Sequence, residues 1–348
     1  MISLSLAHED FMARCIHLAK LGIGKVAPNP MVGSVVVHNN KIIGEGYHEQ
    51  YGEAHAEVNA INSVQDKSVL SDSIIYVNLE PCAHFGKTPP CADLIIEKGI
   101  KTAVIGCIDP FSKVAGRGIE KLKAEGVKVI VNILQNECIA LNRRFFTFHE
   151  LKRPYIILKW AQSANAMIDI NRESESDGIH WITQPETKSL VHQWRAEESA
   201  ILVGRKTVQN DNPSLTCRHY YGTNPIRIVI DKNAKLDINR YKISNDEALA
   251  YIFTEKPLGV QKNTKYITLE PFNLKGMLSK LFELNIQSII IEGGKITLEQ
   301  FIKDNIWDEA RVLTGINSIE NGSYAPQIKG HLSQEFYFGE DKVSIYQN

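Results

Sequence analysis

One histidine, one glutamate and two cysteines, close together in the first third of the chain, constrain this sequence more than any other feature. They are His55 and Glu57, then Cys82 directly after Pro81, then Cys91. Zinc accepts imidazole nitrogen and thiolate sulfur, and a catalytic zinc site uses three protein ligands and keeps one position for water. We therefore expect His55, Cys82 and Cys91 to bind zinc, and Glu57 to remain free to transfer protons.

The order of these residues is the H-x-E…P-C…C signature of zinc-dependent deaminases, in which the glutamate is the general acid and base. Taken singly, a histidine or a cysteine is more simply a polar or core residue, but the joint order favours a metal site. Eight residues separate Cys82 from Cys91, where the signature of nucleic-acid deaminases has two. These eight residues either contact a bound ligand or form only a loop. The candidates for ligand contacts are His84, Lys87 and Thr88.

Composition limits the class of protein. The 348 residues suit two domains, and 43% apolar with 23% charged residues is typical of a globular protein. A formal net charge of −1 argues against nucleic acid as the main partner. We expect no membrane span and no signal peptide, and the six dispersed cysteines favour a cytoplasmic location without a disulfide scaffold.

The hydrophobic pattern alternates helices and strands in both halves, which predicts an α/β fold with helices packed on the sheets. In the first half, a strand at 31–38 and a strand at 41–46 flank a turn at Asn39-Asn40, and a linking helix is expected at 136–150. Pro154 disfavours helix before it. We therefore expect domains at 1–149 and 150–348.

Three segments resemble the bifunctional deaminase/reductase family of riboflavin biosynthesis. They are NLEPCAHFGKTPPC at 78–91, PNPMVG at 28–33, and DPF at 109–111. The resemblance implies a cytidine-deaminase-like α/β/α domain, followed by a dihydrofolate-reductase-like α/β domain that uses NADPH. It also implies hydrolytic deamination of 2,5-diamino-6-(5-phosphoribosylamino)pyrimidin-4-one, then reduction of its ribosyl group to ribityl, and a homo-oligomer formed through the reductase domain.

In the second half the residues alone say less. No G-x-G-x-x-G motif is present, and the Gly293-Gly294 turn before a helix suits a phosphate but is more often only a turn. The resemblance extends here through RP at 153–154, LKWA at 158–161 and DNPSLTCR at 211–218. It implies cofactor contacts by Ala161, Trp181, Thr207, Asp211, Gly293 and Gly294. It implies substrate contacts by Asn29, Arg195, Leu215, Arg218 and Glu292.

One segment departs from the family pattern. The family usually has Ser-Leu-Asp-Gly after the first strand of this domain, whereas this chain has SANA at 163–166. Ile179 stands where a polar residue is common in the family. Loss of the aspartate and of the glycine changes charge and backbone freedom. Weakened reductase activity is therefore one expectation.

Three alternatives stay open at this point. In the first, the second half is a non-catalytic binding or oligomerisation domain. In the second, the chain is a nucleic-acid base deaminase with an appended module. In the third, the zinc is structural, with His84 as a fourth ligand, because structural sites are usually closed by four ligands.

Overall fold

The computed structural model describes residues 3–83, 89–111, 115–171, 180–260 and 263–348, with side chains from residue 8 onward. The chain divides into two compact units, Met1–Lys152 and Arg153–Asn348. Among the described helices, none combines the length and apolar character needed to cross a membrane.

The first unit is a five-stranded sheet with helices on both faces. Its strands are β1 (Gly33–His38), β2 (Lys41–Tyr47), β3 (Ile74–Leu79), β4 (Thr102–Cys107) and β5 (Lys128–Ile130), in the order β2-β1-β3-β4-β5. Its helices are α1 (Ser3–Ala19), α2 (Ala56–Ser63), α3 (Cys91–Glu97), α4 (Arg117–Ala124), α5 (Gln135–Leu141) and α6 (Arg143–Leu151). Strands β3, β4 and β5 run parallel, and β1 pairs antiparallel with both β2 and β3.

Strand β1 shows why the sheet is covered on both faces. Successive side chains of a strand point to opposite faces. Val35 and Val37 are buried in a cluster with Met12 of α1, whereas Val36 between them is buried with Ile61 of α2. An apolar run without alternation therefore requires a helical layer on each side, which gives an α/β/α unit.

The predicted linking helix at 136–150 is wrong in one respect. The structure has two helices there, α5 and α6, which meet at Asn142. The Asn142 side chain accepts a hydrogen bond from Met31 N and donates one to Met31 O, both at 2.8 Å. Asn142 is buried, and its side chain ties the junction of the two helices to this distant loop.

The second unit is a nine-stranded sheet of mostly parallel strands. Its strands are β6 (Tyr155–Gln162), β8 (Ala200–Gly204), β9 (Ile226–Ile230), β10 (Ala250–Thr254), β11 (Thr264–Thr268), β12 (Ser288–Ile291), β13 (Glu309–Thr314), β15 (His331–Phe338) and β16 (Asp341–Gln347). A small separate sheet pairs β7 (Met167–Ile170) with β14 (Gly322–Tyr324). The helices are α7 (Thr187–Glu197), α8 (Arg205–Asp211), α9 (Leu274–Glu283) and α10 (Lys295–Lys303).

The strand order of the large sheet is β11-β10-β9-β8-β12-β6-β13-β16-β15. The seven strands from β11 to β13 are parallel, and β16 and β15 add an antiparallel hairpin at one edge. On one face Leu158 and Ile289 pack with Phe301 of α10; on the other, Ile157 and Ile290 pack with Trp194 of α7. The carboxyl ends of parallel strands commonly form the ligand-binding edge of such sheets. The predicted α/β fold is confirmed for both units.

Candidate active sites

The structure brings the predicted metal ligands of the first unit together. His55 immediately precedes α2, Cys82 follows β3, and Cys91 is the first residue of α3. One ligand atom from each lies within 4.8 Å of the others. His55 Nδ1 is 3.3 Å from Cys91 Sγ and 3.6 Å from Cys82 Sγ. Two sulfurs and one imidazole at these separations fit a zinc ion.

The electrostatics of this cluster suit a cation. The neighbouring Cys91 thiol holds the pKa of Cys82 down at about 4, while the same contact raises the pKa of Cys91. The Cys91 backbone N–H also donates to Cys82 Sγ at 3.3 Å. The pair therefore carries a thiolate at neutral pH, which is the form that binds metal.

Glu57 lies in the first turn of α2, two residues after His55, and is only 3% exposed. Burial raises the pKa of its carboxyl group above the ordinary value. A positioned carboxyl group can accept a proton and return it, and a raised pKa favours the protonated form between the two transfers. Its position is therefore consistent with the predicted role in proton transfer.

Asn29 is connected to the metal cluster through His48, a residue that no sequence motif singled out. Asn29 Nδ2 lies 3.0 Å from His48 Nε2, and His48 Nδ1 lies 3.0 Å from the Ala54 carbonyl oxygen. The His48 ring also meets the His55 ring edge-on, with 5.6 Å between centroids. Asn29 therefore belongs to the same site as the metal cluster.

The backbone around Cys82 is held by a buried carboxylate two residues earlier. Glu80 accepts hydrogen bonds from the backbone N–H groups of Asp109, Gly116, Gly118 and Ile119, at 2.8 to 3.3 Å. Two of these donors lie in the first turn of α4, where helix N–H groups have no partner within the helix. Glu80 thereby fixes the segment that leads into Cys82.

We predict that Glu80→Gln lowers the free energy of unfolding by about 3 kcal/mol, because an amide NH₂ would face N–H donors in place of a carboxylate oxygen. Thermal and denaturant unfolding curves measure the loss, and zinc content should fall with it. Glu125→Gln, at an exposed position just after α4, is the control and should leave both unchanged. Equal stability of the two variants would contradict this role of Glu80.

In the second unit, two predicted cofactor residues are in direct contact. The Gly294 backbone N–H donates to Thr207 Oγ1 at 3.0 Å, and Gly294 immediately precedes α10. A Cβ atom on Gly293 would lie 2.9 Å from Thr297 Cβ, so glycine allows the close approach there. Asp211 ends α8 and Ala161 lies in β6. Trp181 is 59% exposed, with Lys188 Nζ 3.7 Å from its ring centroid.

A cavity of about 430 Å³ lies beside Trp181, lined also by Ser163, Ile182 and the loop at 317–321. The SANA segment at 163–166, which departs from the family pattern, is held by Asn165. Its side chain donates to Ile319 O at 2.8 Å and accepts from Ile319 N at 3.0 Å. Ala166 has φ of 61°, a backbone conformation that glycine adopts more easily. The segment therefore keeps its turn through Asn165, and its effect on reduction stays a prediction.

Two predicted substrate residues of the second unit, Arg195 and Glu292, form a buried ion pair, and Arg218 lies at an exposed position connected to it through Thr216. Arg195 donates to both carboxylate oxygens of Glu292, at 3.0 and 2.7 Å, and to Thr216 O at 3.3 Å. Arg218 donates to Thr216 Oγ1 at 3.0 Å. The side chain of Leu215 is 2% exposed and packs in the core, so only its backbone is free to meet a ligand.

Lys159 also belongs to this cluster, with Nζ 3.7 Å from Glu292 Oε2. Sequence reasoning assigned Lys159 no role, although a lysine inside the apolar strand YIILKWAQ was an available signal. Burial alone raises the pKa of Glu292, but Arg195 and Lys159 outweigh it and hold that pKa at about 2. Glu292 is therefore an anion at neutral pH.

Two predictions on the loops fall where the structure gives no description. His84, Lys87 and Thr88, and with them the suggested fourth ligand, lie outside the described residues, as does Ile179.

Comparison with known proteins matches a family model to each of the two units. A family model described as the cytidine and deoxycytidylate deaminase zinc-binding region matches residues 6–107. A model described as the RibD C-terminal domain matches residues 154–315. Fold, sites and matches together define the class: a zinc-binding deaminase joined to a reductase.

Relatives match along nearly the whole chain. The riboflavin biosynthesis protein RibD of Aquifex aeolicus is 39% identical, covering 97% of this chain and 98% of the relative. That of Escherichia coli is 32% identical, covering 92% and 94%. The chain belongs to the riboflavin biosynthesis protein RibD family, which confirms the family resemblance. It is a bifunctional enzyme, with zinc and NADPH as its cofactors.

A solved structure from Thermotoga maritima agrees with the fold. It is a diaminohydroxyphosphoribosylaminopyrimidine deaminase/5-amino-6-(5-phosphoribosylamino)uracil reductase with 34% identity and a TM-score of 0.90, covering 99% of both chains. The predicted cytidine-deaminase-like first domain and reductase second domain are thereby confirmed.

Proposed function

We propose that the first unit deaminates a diaminohydroxyphosphoribosylaminopyrimidine and that the second reduces the resulting 5-amino-6-(5-phosphoribosylamino)uracil with NADPH. The convergence of His55, Cys82 and Cys91 beside buried Glu57 is the observation that carries the proposal. The substrates are those named for the Thermotoga maritima protein.

In the first unit, His55, Cys82 and Cys91 would hold zinc, which when bound supplies a Lewis acid and activates water. Glu57 takes a proton from the attacking water and delivers one to the departing amine, so that ammonia leaves as a neutral molecule. Burial of Glu57 excludes competing solvent and keeps its pKa raised for both transfers.

Asn29 would bind the ring or sugar of the substrate, and His48 would set which amide atom it presents. The Ala54 carbonyl can only accept, so His48 Nδ1 donates to it and the neutral ring accepts at Nε2. Asn29 must then donate Nδ2–H to His48, which leaves Oδ1 to accept an N–H from the substrate.

We predict that His48→Asn lowers kcat/KM for deamination about tenfold, mainly through KM, because asparagine reaches the Ala54 carbonyl but not Asn29. His48→Gln, whose amide replaces the Nε2 position, should stay close to the parent enzyme. Steady-state ammonia release and zinc content measure both variants. A larger loss in His48→Gln than in His48→Asn would contradict this orientation of the Asn29 amide.

In the second unit, NADPH when bound supplies the hydride. Thr207, Gly293 and Gly294 would accommodate it at the start of α10, with Ala161, Trp181 and Asp211 as its other contacts. Arg195 and Arg218 suit a phosphate-bearing substrate, because guanidinium groups bind phosphate with paired N–H donors. Glu292 holds Arg195 in place.

A coupled assay tests the proposal as a whole. Protein supplied with the diaminopyrimidine substrate should release ammonia first and then oxidise NADPH, with one zinc ion per chain measured on the same sample. Ammonia release without NADPH oxidation would favour the alternative in which the second unit is not catalytic. Undiminished ammonia release from zinc-free protein would contradict the assignment of the first unit.

Self-association through the second unit and a cytoplasmic location also remain proposals. The edge strand β15 supports the first, because it ends the large sheet and exposes Leu332 and Tyr337. Light scattering on the whole chain and on a Tyr337→Lys variant measures the assembly.

A further inference from the structure

The cationic cluster of the second unit carries more positive charge than its own carboxylate balances. Arg195 and Arg218 both donate to Thr216, through its carbonyl oxygen and its hydroxyl group. Lys159 shares Glu292 with Arg195. Two buried cations share one carboxylate, and Arg218 adds a positive charge at the exposed edge, so the cluster has an excess that a dianionic ligand would neutralise.

His192 adds a buried nitrogen to this cluster. It lies on α7 one turn before Arg195, so the two side chains share a face of the helix. The ring is 5% exposed and meets the ring of His219 perpendicularly at 4.8 Å. No described residue is a hydrogen-bond partner of His192 Nδ1.

The groups that act on His192 come from three elements. Arg195 lies on its own helix, Arg218 and His219 on the segment after α8, and Glu292 at the end of β12. Burial, followed by the nearby positive groups, lowers the pKa of His192 to about 4, and Glu292 offsets only part of this effect. The imidazole is therefore neutral at physiological pH, and a buried, unpaired nitrogen in it is costly.

We propose that His192 is a third phosphate contact of the reductase site, donating Nδ1–H to an oxygen of the phosphate group bound by Arg195 and Arg218. The inference rests on the proposed function, because that function supplies a ligand with a phosphoribosyl group. A phosphate at this position satisfies the nitrogen and neutralises the excess charge together. It also predicts that ligand binding raises the pKa of His192, since a nearby anion favours the charged imidazole.

The test uses the whole chain loaded with NADP⁺, with labelled histidine followed by NMR from about pH 4 to about pH 8. The signal of His192 is assigned by its loss in the His192→Asn variant. Ribose 5-phosphate is the probe, and ribose is the matched control without phosphate. We expect ribose 5-phosphate to raise the pKa of His192 by at least about one unit, and ribose to leave it unchanged.

Two substitutions separate hydrogen bonding from packing. His192→Asn keeps a donor near the Nδ1 position, whereas His192→Leu fills the space without one. We expect the Kd for ribose 5-phosphate to rise about tenfold in His192→Leu and less than about threefold in His192→Asn. Binding of ribose 5-phosphate to the Arg218→Gln variant tests the phosphate site without changing His192.

The outcomes distinguish this inference from the function on which it rests. If Arg218→Gln weakens ribose 5-phosphate binding while His192→Leu and the pKa of His192 show no effect, His192 is not a phosphate contact and the site stands. If ribose and ribose 5-phosphate act alike and Arg218→Gln changes nothing, the phosphate assignment is wrong for both. Should His192→Leu fail to fold, the pKa measured in the parent protein decides alone.

Discussion

Glu57→Gln should abolish ammonia release, with a loss in kcat of about 10³-fold, within the range attributed to general acid–base catalysis. The amide has nearly the same shape as the carboxylate but cannot accept the proton that water must lose. Glu57 is not one of the three expected ligands, so zinc content should be unchanged. NADPH oxidation by the second unit, assayed with 5-amino-6-(5-phosphoribosylamino)uracil supplied directly, should also persist.

The control for this substitution is Glu49→Gln, at an exposed glutamate of the same unit. It changes net charge identically and should leave both reactions intact. Parent-like ammonia release by Glu57→Gln would show that another group transfers the protons. Loss of zinc from Glu57→Gln would instead indicate a structural role for the carboxylate.

Glu292→Gln should abolish substrate reduction and lower the free energy of unfolding of the second unit by about 3–5 kcal/mol, the usual cost of breaking a buried ion pair. Arg195 and Lys159 would remain buried without the carboxylate that compensates their charge. Ammonia release by the first unit should be preserved. Separate assays of the two reactions and calorimetric unfolding measure these effects.

The acid side of the stability curve provides a second readout of Glu292. Its pKa is held at about 2, below the ordinary carboxyl value of 4.5. The contribution of ionised Glu292 to the free energy of unfolding is therefore complete above about pH 4.5 and is lost as pH falls toward about 2. Glu292→Gln should remove that part of the pH dependence. Glu335→Gln, whose exposed pair with Lys342 spans 3.4 Å, should leave the free energy of unfolding nearly unchanged, because exposed ion pairs contribute little.

Local chemistry explains which elements could be predicted. The turn at Asn39 and Asn40 has φ of 48° and 58°, and asparagine tolerates that left-handed region, so the hairpin was readable from two residues. Buried strands such as β3 and β8 are short apolar runs, which the sequence also displays.

The missed elements depend on contacts far along the chain. Strands β7, β11, β13, β14, β15 and β16 and helix α8 were not predicted. Strand β15 is largely exposed on the edge of its sheet, and only Phe336 and Phe338 near its end pack against the core, so its apolar pattern is too short to mark it. The junction of α5 and α6 is bonded through Asn142 to Met31, 111 positions away, a contact that no local pattern displays.

The same contrast holds for the two sites. In the first, histidine, glutamate and cysteine at fixed offsets predict a metal site from the sequence alone. In the second, arginine, lysine and glutamate are common everywhere, and only the folded sheet places Lys159 and Arg195 on the same carboxylate. Family resemblance therefore contributed more there than residue chemistry did.

The interruption at Asn142 bears on how far the first unit can be shortened. Asn78 and Asn142 both hold the backbone of Met31, two residues beyond Asn29. A fragment ending at residue 107, where the zinc-binding family match stops, would retain every expected metal ligand yet lose half of this clamp. The same fragment would lack the four backbone donors that hold Glu80 beside Cys82. Trimming would thus weaken metal uptake together with the grip on the pyrimidine, so autonomy of the amine-releasing half requires the sequence through Leu151.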